Sequence, residues 1–109
     1  MASEVLGVKL EATLSNTERV LINGVNGHTY TILSITFCEE AGAAETFDLY
    51  VDDDGGGTDY YIYKVQPLGA NQTFEHTGRI VIVDEDHLCA ITGGAANVDV
   101  VVTYLDQTR

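Results

Sequence analysis

The groups best placed to do chemistry in this chain fall in one short run, Asp52-Asp53-Asp54-Gly55-Gly56-Gly57-Thr58-Asp59. A dense set of carboxylates can hold calcium, which takes roughly six to eight oxygen ligands. Asp52, Asp53, Asp54 and Asp59 are therefore the calcium candidates of the sequence. Their spacing is a weak match to that task. A calcium-binding helix–loop–helix alternates its ligands and ends in a glutamate, and consecutive aspartates on an extended chain point in different directions. A solvated hairpin tip explains the same residues more simply, with glycine making the turn and acids keeping it soluble. The triple glycine Gly55–Gly57 lacks the Lys-Ser/Thr pair and the following helix of a phosphate-binding loop. No cofactor is expected.

Nucleophilic catalysis would need a nucleophile, a base and an orienting acid. His28, His76 and His87 lie at separate strand edges or turns, and no Gly-x-Ser-x-Gly occurs. Cys38 and Cys89 both sit in apolar runs, where a thiol becomes less acidic and less reactive. Two isolated cysteines without a Cys-x-x-Cys give no zinc site, and a Cys38–Cys89 bridge requires their strands to be neighbours. No catalytic residue is assigned, and the chain reads as a non-enzyme. Tyr50, Tyr60, Tyr61 and Tyr63 cluster around the acidic run. Such tyrosines often complete a core edge with a wet hydroxyl, and otherwise form a contact or sugar-stacking platform.

The elements that must hold these groups show a period of two almost throughout. Val5–Leu14, Glu18–Ile22, His28–Cys38, Glu45–Val51, Tyr60–Val65, Gln72–His76, Arg79–Val83, His87–Thr92 and Asn97–Leu105 read as strands. Between them stand turn signals such as Asn23-Gly24, Asn26-Gly27 and Gly93-Gly94. In the first strand Leu6, Val8, Leu10 and Ala12 share one face, with Lys9 and Glu11 on the other. In the third, Leu33, Ile35 and Phe37 are placed on one face and Tyr30 and Ile32 on the other. Phe47, Leu49 and Val51 point inward. No segment has a sustained helical period, so the fold class is all-β: an antiparallel β-sandwich of jelly-roll or Greek-key type, with about eight or nine strands. The 109 residues make one domain, 1–109, with residues 1–4 as an N-terminal arm.

Charge narrows the partners. The net charge is −12, from 17 acidic and 5 basic residues. Nucleic-acid binding needs clustered Lys and Arg, and here the bases are scattered. The same sign repels an anionic membrane surface, and no run is apolar enough to span one. The start of the chain lacks the charged head and apolar block of a signal peptide, which predicts synthesis in a cytoplasm.

Several of these segments carry a resemblance: Leu14-Ser-Asn-Thr17, Thr29-Tyr-Thr-Ile-Leu-Ser-Ile35, Phe47-Asp-Leu-Tyr-Val-Asp52, Tyr60-Tyr61 and Ala95-Ala-Asn-Val-Asp-Val-Val-Val-Thr-Tyr-Leu105. Together they resemble small β-rich structural proteins of tailed bacteriophages, over most of the chain. The motifs are strand patterns with small-residue turns, more specific to the group than to a role. The resemblance implies a capsid decoration (cement) protein on the outer surface of the virion head. It would be made in the host cytoplasm, form a homotrimer and bridge subunits of the major capsid protein. Other members of that group belong to the tail or neck, so the alternative is a tail- or fibre-associated receptor- or glycan-binding module. The expected partner-binding residues are Val5, Leu6, Val8, Tyr50, Tyr60 and Tyr61: on the cement reading the terminal segment Met1–Leu10 adds a strand to a neighbour's sheet edge, and on the alternative the tyrosines and acidic loops form the recognition surface.

Overall fold

The computed structural model describes residues 3–109. They form nine strands: β1 (Ser3–Leu14), β2 (Arg19–Asn23), β3 (His28–Glu39), β4 (Glu45–Asp52), β5 (Asp59–Leu68), β6 (Thr73–His76), β7 (Ile80–Val83), β8 (His87–Thr92) and β9 (Val98–Thr108). A short helical turn, Asp53–Gly55, lies between β4 and β5. The strand bounds fall within a few residues of those read from the turn signals. Met1 and Ala2 of the expected arm lie outside the described residues. Ser3 and Glu4 pair with Thr108 and Gln107, as the first rungs of β1 against β9.

One sheet runs β1-β9-β3, with β6 and β7 both pairing with β3; the other runs β2-β8-β4-β5. Every pairing is antiparallel, and the pairs are nested. Beta-4 meets β5, β3 meets β6 and β7, β2 meets β8, and β1 meets β9. A single long hairpin rolled up so that alternate strand pairs fall into opposite sheets gives this order, which is that of a jelly roll. The sequence left jelly roll and other Greek-key sandwiches open, and the strand order decides between them.

The core is built from the inner faces of both sheets. Phe37 of β3 stacks on Phe47 of β4 with ring centroids 4.1 Å apart, joining the sheets through their largest buried side chains. Ile32, Ile35, Leu49, Ile82, Leu88, Val98 and Val102 are fully buried around them. Each such side chain contributes about 1.5–3 kcal/mol on leaving water.

Two local readings change. The expected faces of β3 are not kept along its length, because Tyr30, Ile32, Ile35 and Phe37 are all buried while Leu33 is exposed. The pairing of β3 with β9 shifts register between Ile32 and Ser34. A bulge there inserts one residue and flips the alternation, so both halves of the strand face inward. The strand expected to end at Val65 runs on to Leu68, and Pro67 lies inside it opposite Thr46. Because β5 is an edge strand, the missing N–H costs no ladder bond.

Candidate functional site

Beta-1 is where the fold departs most from an ordinary sandwich strand. It is an edge strand of twelve residues, so one side of its backbone ladder has no strand partner among the described residues. Its alternation is clean, but the apolar face points out. Leu6, Val8 and Leu10 are 68%, 57% and 68% exposed. Gly7, Lys9 and Glu11 take the inner positions and are half-buried. The reason is local. Tyr104 of β9 lies over Gly7, where an added Cβ would sit 2.6 Å from the ring, so only glycine fits beneath it. Further along, Glu11 accepts from Arg19 at 2.5 Å and stands 3.6 Å from Lys9. This charged seam closes the open corner between β1 and β2 and leaves the apolar residues no place inside.

The register extends this apolar face across the sheet. Leu10 is opposite Val101, and Leu6 is opposite Leu105. Leu105 is in turn opposite Thr31, and Thr31 opposite Val81. Val81 and Val101 are exposed, as is Leu33 at the bulge. Outward-facing threonines and a serine of β3 and β9 separate these residues without adding charge. Of the expected contact residues, Leu6 and Val8 lie in this face, while Val5, also exposed, alternates to the other side of the strand. Leu10, Leu33, Val81 and Val101 were not singled out from the sequence. Their only signal was an apolar residue in a strand, which reads equally well as core.

The acidic run lies at the outer end of the other sheet. Asp52 pairs with Asp59 across the β4–β5 hairpin and with His87 of β8 on its other side. The four calcium candidates divide. Asp53 and Asp54 converge with Asp86, whereas Asp52 converges with His87 and Cys89. The Asp53 carboxyl is held above its ordinary range, chiefly by Asp54 and with burial and Asp86 adding to it. Asp59 is raised by burial first and then by Asp52 and Glu18. Cys89 is fully buried, and its thiol is pushed up to about 12 by burial, with Glu18, Asp52 and Asp59 acting the same way. Such a thiol is protonated at neutral pH and is a poor nucleophile.

The tyrosines part company here as well. Tyr50 is opposite Tyr61 with ring centroids 5.2 Å apart. Burial raises its pKa, and the hydrogen bond its hydroxyl donates to Glu18 raises it further. At 4% exposure it belongs to the packing of the sheet itself, and the aromatic surface narrows to Tyr60 and Tyr61, 59% and 46% exposed. Lys64 covers the Tyr61 ring at 4.0 Å. The remaining histidines serve structural pairs: His28 with Asp106 at 2.7 Å, and His76 with the Tyr63 hydroxyl at 2.7 Å. Cys38 and Cys89 are free, on β3 of one sheet and β8 of the other.

No protein-family model and no curated protein matches the chain. Solved structures do. A chain of Bacillus endospore appendages, described as disulfide-linked pili, overlays with a TM-score of 0.57 at 9% identity, covering 98% of this chain and 87% of that one. A chain of the acid-stable capsid of a Helicobacter pylori bacteriophage gives 0.55 at 13% identity, covering 100% and 99%. A pentameric capsid protein from metagenomic phage sequences overlays more loosely, at 0.43 and 18% identity, over 92% of this chain and 60% of that one. At these identities the likeness is one of fold: the same sandwich is found in chains of a phage capsid and of a pilus.

Proposed function

We propose that this protein is a structural subunit of a virion, acting by adhesion between neighbours rather than by turnover of a substrate. The observation that carries this reading is the outward apolar face of β1. Three large aliphatic side chains stand in water on an edge strand whose own ladder is open. A protein that remained alone would be expected to blunt such an edge with charge, proline or a covering loop. A partner strand laid along β1 would satisfy its free N–H and C=O groups and flank Leu6, Val8 and Leu10 with cross-strand neighbours. The phage-protein resemblance of the sequence and the capsid occurrence of the same fold support the virion setting. Within it, the specific role proposed is head decoration. A homotrimer bridges subunits of the major capsid protein, and repeating a weak contact around the oligomer gives it avidity. Binding the intact shell stabilises it by mass action.

The test is a pair of charge substitutions, Leu6→Lys with Val8→Lys. Both side chains are exposed, so monomer stability should change by no more than about 0.5 kcal/mol. Self-association by sedimentation velocity and head occupancy by cryo-electron microscopy should both be lost. A variant that still assembles and still decorates the head would overturn the β1 interface. Wild-type density confined to the tail or one vertex would overturn the decoration role.

A second reading draws on Tyr60 and Tyr61, exposed together beside acidic residues on the β4–β5 hairpin. The two rings alternate to opposite sides of the edge strand, and each, with carboxylates at hand, offers a face for sugar stacking in a tail-associated binding module. Saturable binding on a glycan array, lost in Tyr60→Ala with Tyr61→Ala, would favour it over decoration.

A further inference from the structure

Asp52, His87 and Cys89 bring an oxygen, a nitrogen and a sulfur donor to one point, all within 4.8 Å of one another. The strand geometry explains the convergence. His87 and Cys89 are two apart on β8 and project from the same face, while Asp52 stands directly opposite His87 on β4. The set is more than a group of acids. Calcium and magnesium are taken by oxygen ligands, whereas mixed imidazole, thiolate and carboxylate donors suit a borderline-soft cation such as Zn²⁺.

A second observation points the same way. The Asp52 Oδ1 atom is buried and accepts no hydrogen bond among the described residues, and the side chain that meets this carboxyl is another acid, Asp59. Buried carboxylate oxygens are almost always paired, and a cation would give this one the partner that a second carboxylate does not. Its surroundings add negative charge rather than cancel it. Glu18 and Asp59 lie close enough to act on Cys89 electrostatically, and the nearby Lys64 ammonium is drawn to the Tyr61 ring and to Asp48. The imidazole is also held in place. Gly55 of the helical turn, at φ +68°, packs against the His87 ring so closely that a Cβ there would fall 2.7 Å from it.

We propose that Asp52, His87 and Cys89 form a divalent transition-metal site, of the Zn²⁺ class, clamping β4 to β8 beneath the hairpin turn. Binding replaces the thiol proton, which leaves to solvent, and gives the Asp52 oxygen its missing partner. Three protein ligands leave a fourth position for water or a further carboxylate. The site is on the sheet opposite β1 and is independent of the assembly surface.

The full chain, stripped with chelator, is titrated with Zn²⁺ by calorimetry and with Co²⁺ by absorption. The expected result is one Zn²⁺ per chain with a Kd of about 1 μM or tighter, a raised Tm, and a near-ultraviolet sulfur-to-cobalt charge-transfer band. That band should persist in Cys38→Ser and vanish in Cys89→Ser, and His87→Ala should weaken binding about tenfold or more. If Cys89→Ser fails to fold, the cobalt band in Cys38→Ser alone reports ligation by the remaining thiol. Absence of saturable Zn²⁺ binding, a cobalt spectrum without the sulfur band, or unchanged affinity in His87→Ala would overturn the site.

Discussion

Glu39 shows how a single side chain can hold a turn. It is 2% exposed at the end of β3, and its carboxylate accepts the backbone N–H groups of Ala41, Gly42, Ala43 and Asn71 at 2.7 to 3.2 Å. The Asn71 bond is the largest cause holding its pKa below the ordinary carboxylate value; burial opposes it, and the bonds from Ala41, Gly42 and Ala43 add to the lowering. A depressed folded-state pKa means stability that is complete above the unfolded pKa and is lost as pH falls through the folded one. Glu39→Gln should therefore lower Tm at pH 7 and flatten the acid side of the Tm–pH curve. Thermal melts from pH 7 to pH 3 check this, and an unchanged acid limb would contradict it. The sequence reading ended this strand at Cys38, so the inward placement of Glu39 was missed, although Glu39 keeps the parity of Ile35 and Phe37. What it binds was not legible either, because Asn71 arrives from a turn 32 positions away. The meeting of Asp52 with His87 and Cys89 was hidden for the same reason. It depends on which strand lies beside β4, and local pattern does not carry that.

At the scale of elements, the alternation of apolar and polar residues located nearly every strand, since Gly, Asn and Asp punctuate the chain between them. It said less about which face turns inward. In β1 the apolar side lies outside because Tyr104 and the Glu11–Arg19 pair occupy the inner positions. In β3 one extra residue reverses the parity halfway along. A bulge in β5 carries a different mark. Val65 stands at φ +53°, 60% exposed, where the β4–β5 register shifts, and its N–H donates to the Asp48 carboxylate at 2.7 Å. A β-branched residue in the left-handed region is strained, and asparagine tolerates that region far better. Val65→Asn loses little buried area and keeps the N–H. It should raise stability by about 1 kcal/mol, read as a higher urea midpoint with an unchanged slope. A lower midpoint would show that valine is held there by contacts stronger than its backbone cost.

For the whole molecule the dominant fact is charge, −12 over 109 residues. Self-repulsion of that size works against the compact state. The structure localises much of it. Asp53 is raised chiefly by Asp54, Asp59 by burial and then Asp52, and Glu40 by its contact with Asp99. A carboxyl whose folded pKa lies above its unfolded value binds its proton more readily in the folded state. Folding is then favoured as pH falls through that raised pKa, the opposite of the Glu39 case. The two effects occupy different windows. On acidification from pH 7 the raised carboxyls protonate first and relieve repulsion, and only later does Glu39 lose its charge and release its turn. Tm should therefore climb from pH 7 into the upper carboxylate range and fall below it. Salt should mimic the first limb, because about 1 M ionic strength shortens screening to roughly 3 Å and quiets exposed like charges. Differential scanning calorimetry across pH, at low and high salt, reads both limbs. A Tm that declines steadily from pH 7, with no gain from salt, would mean that the acidic clusters are held by compensating cations and not merely tolerated.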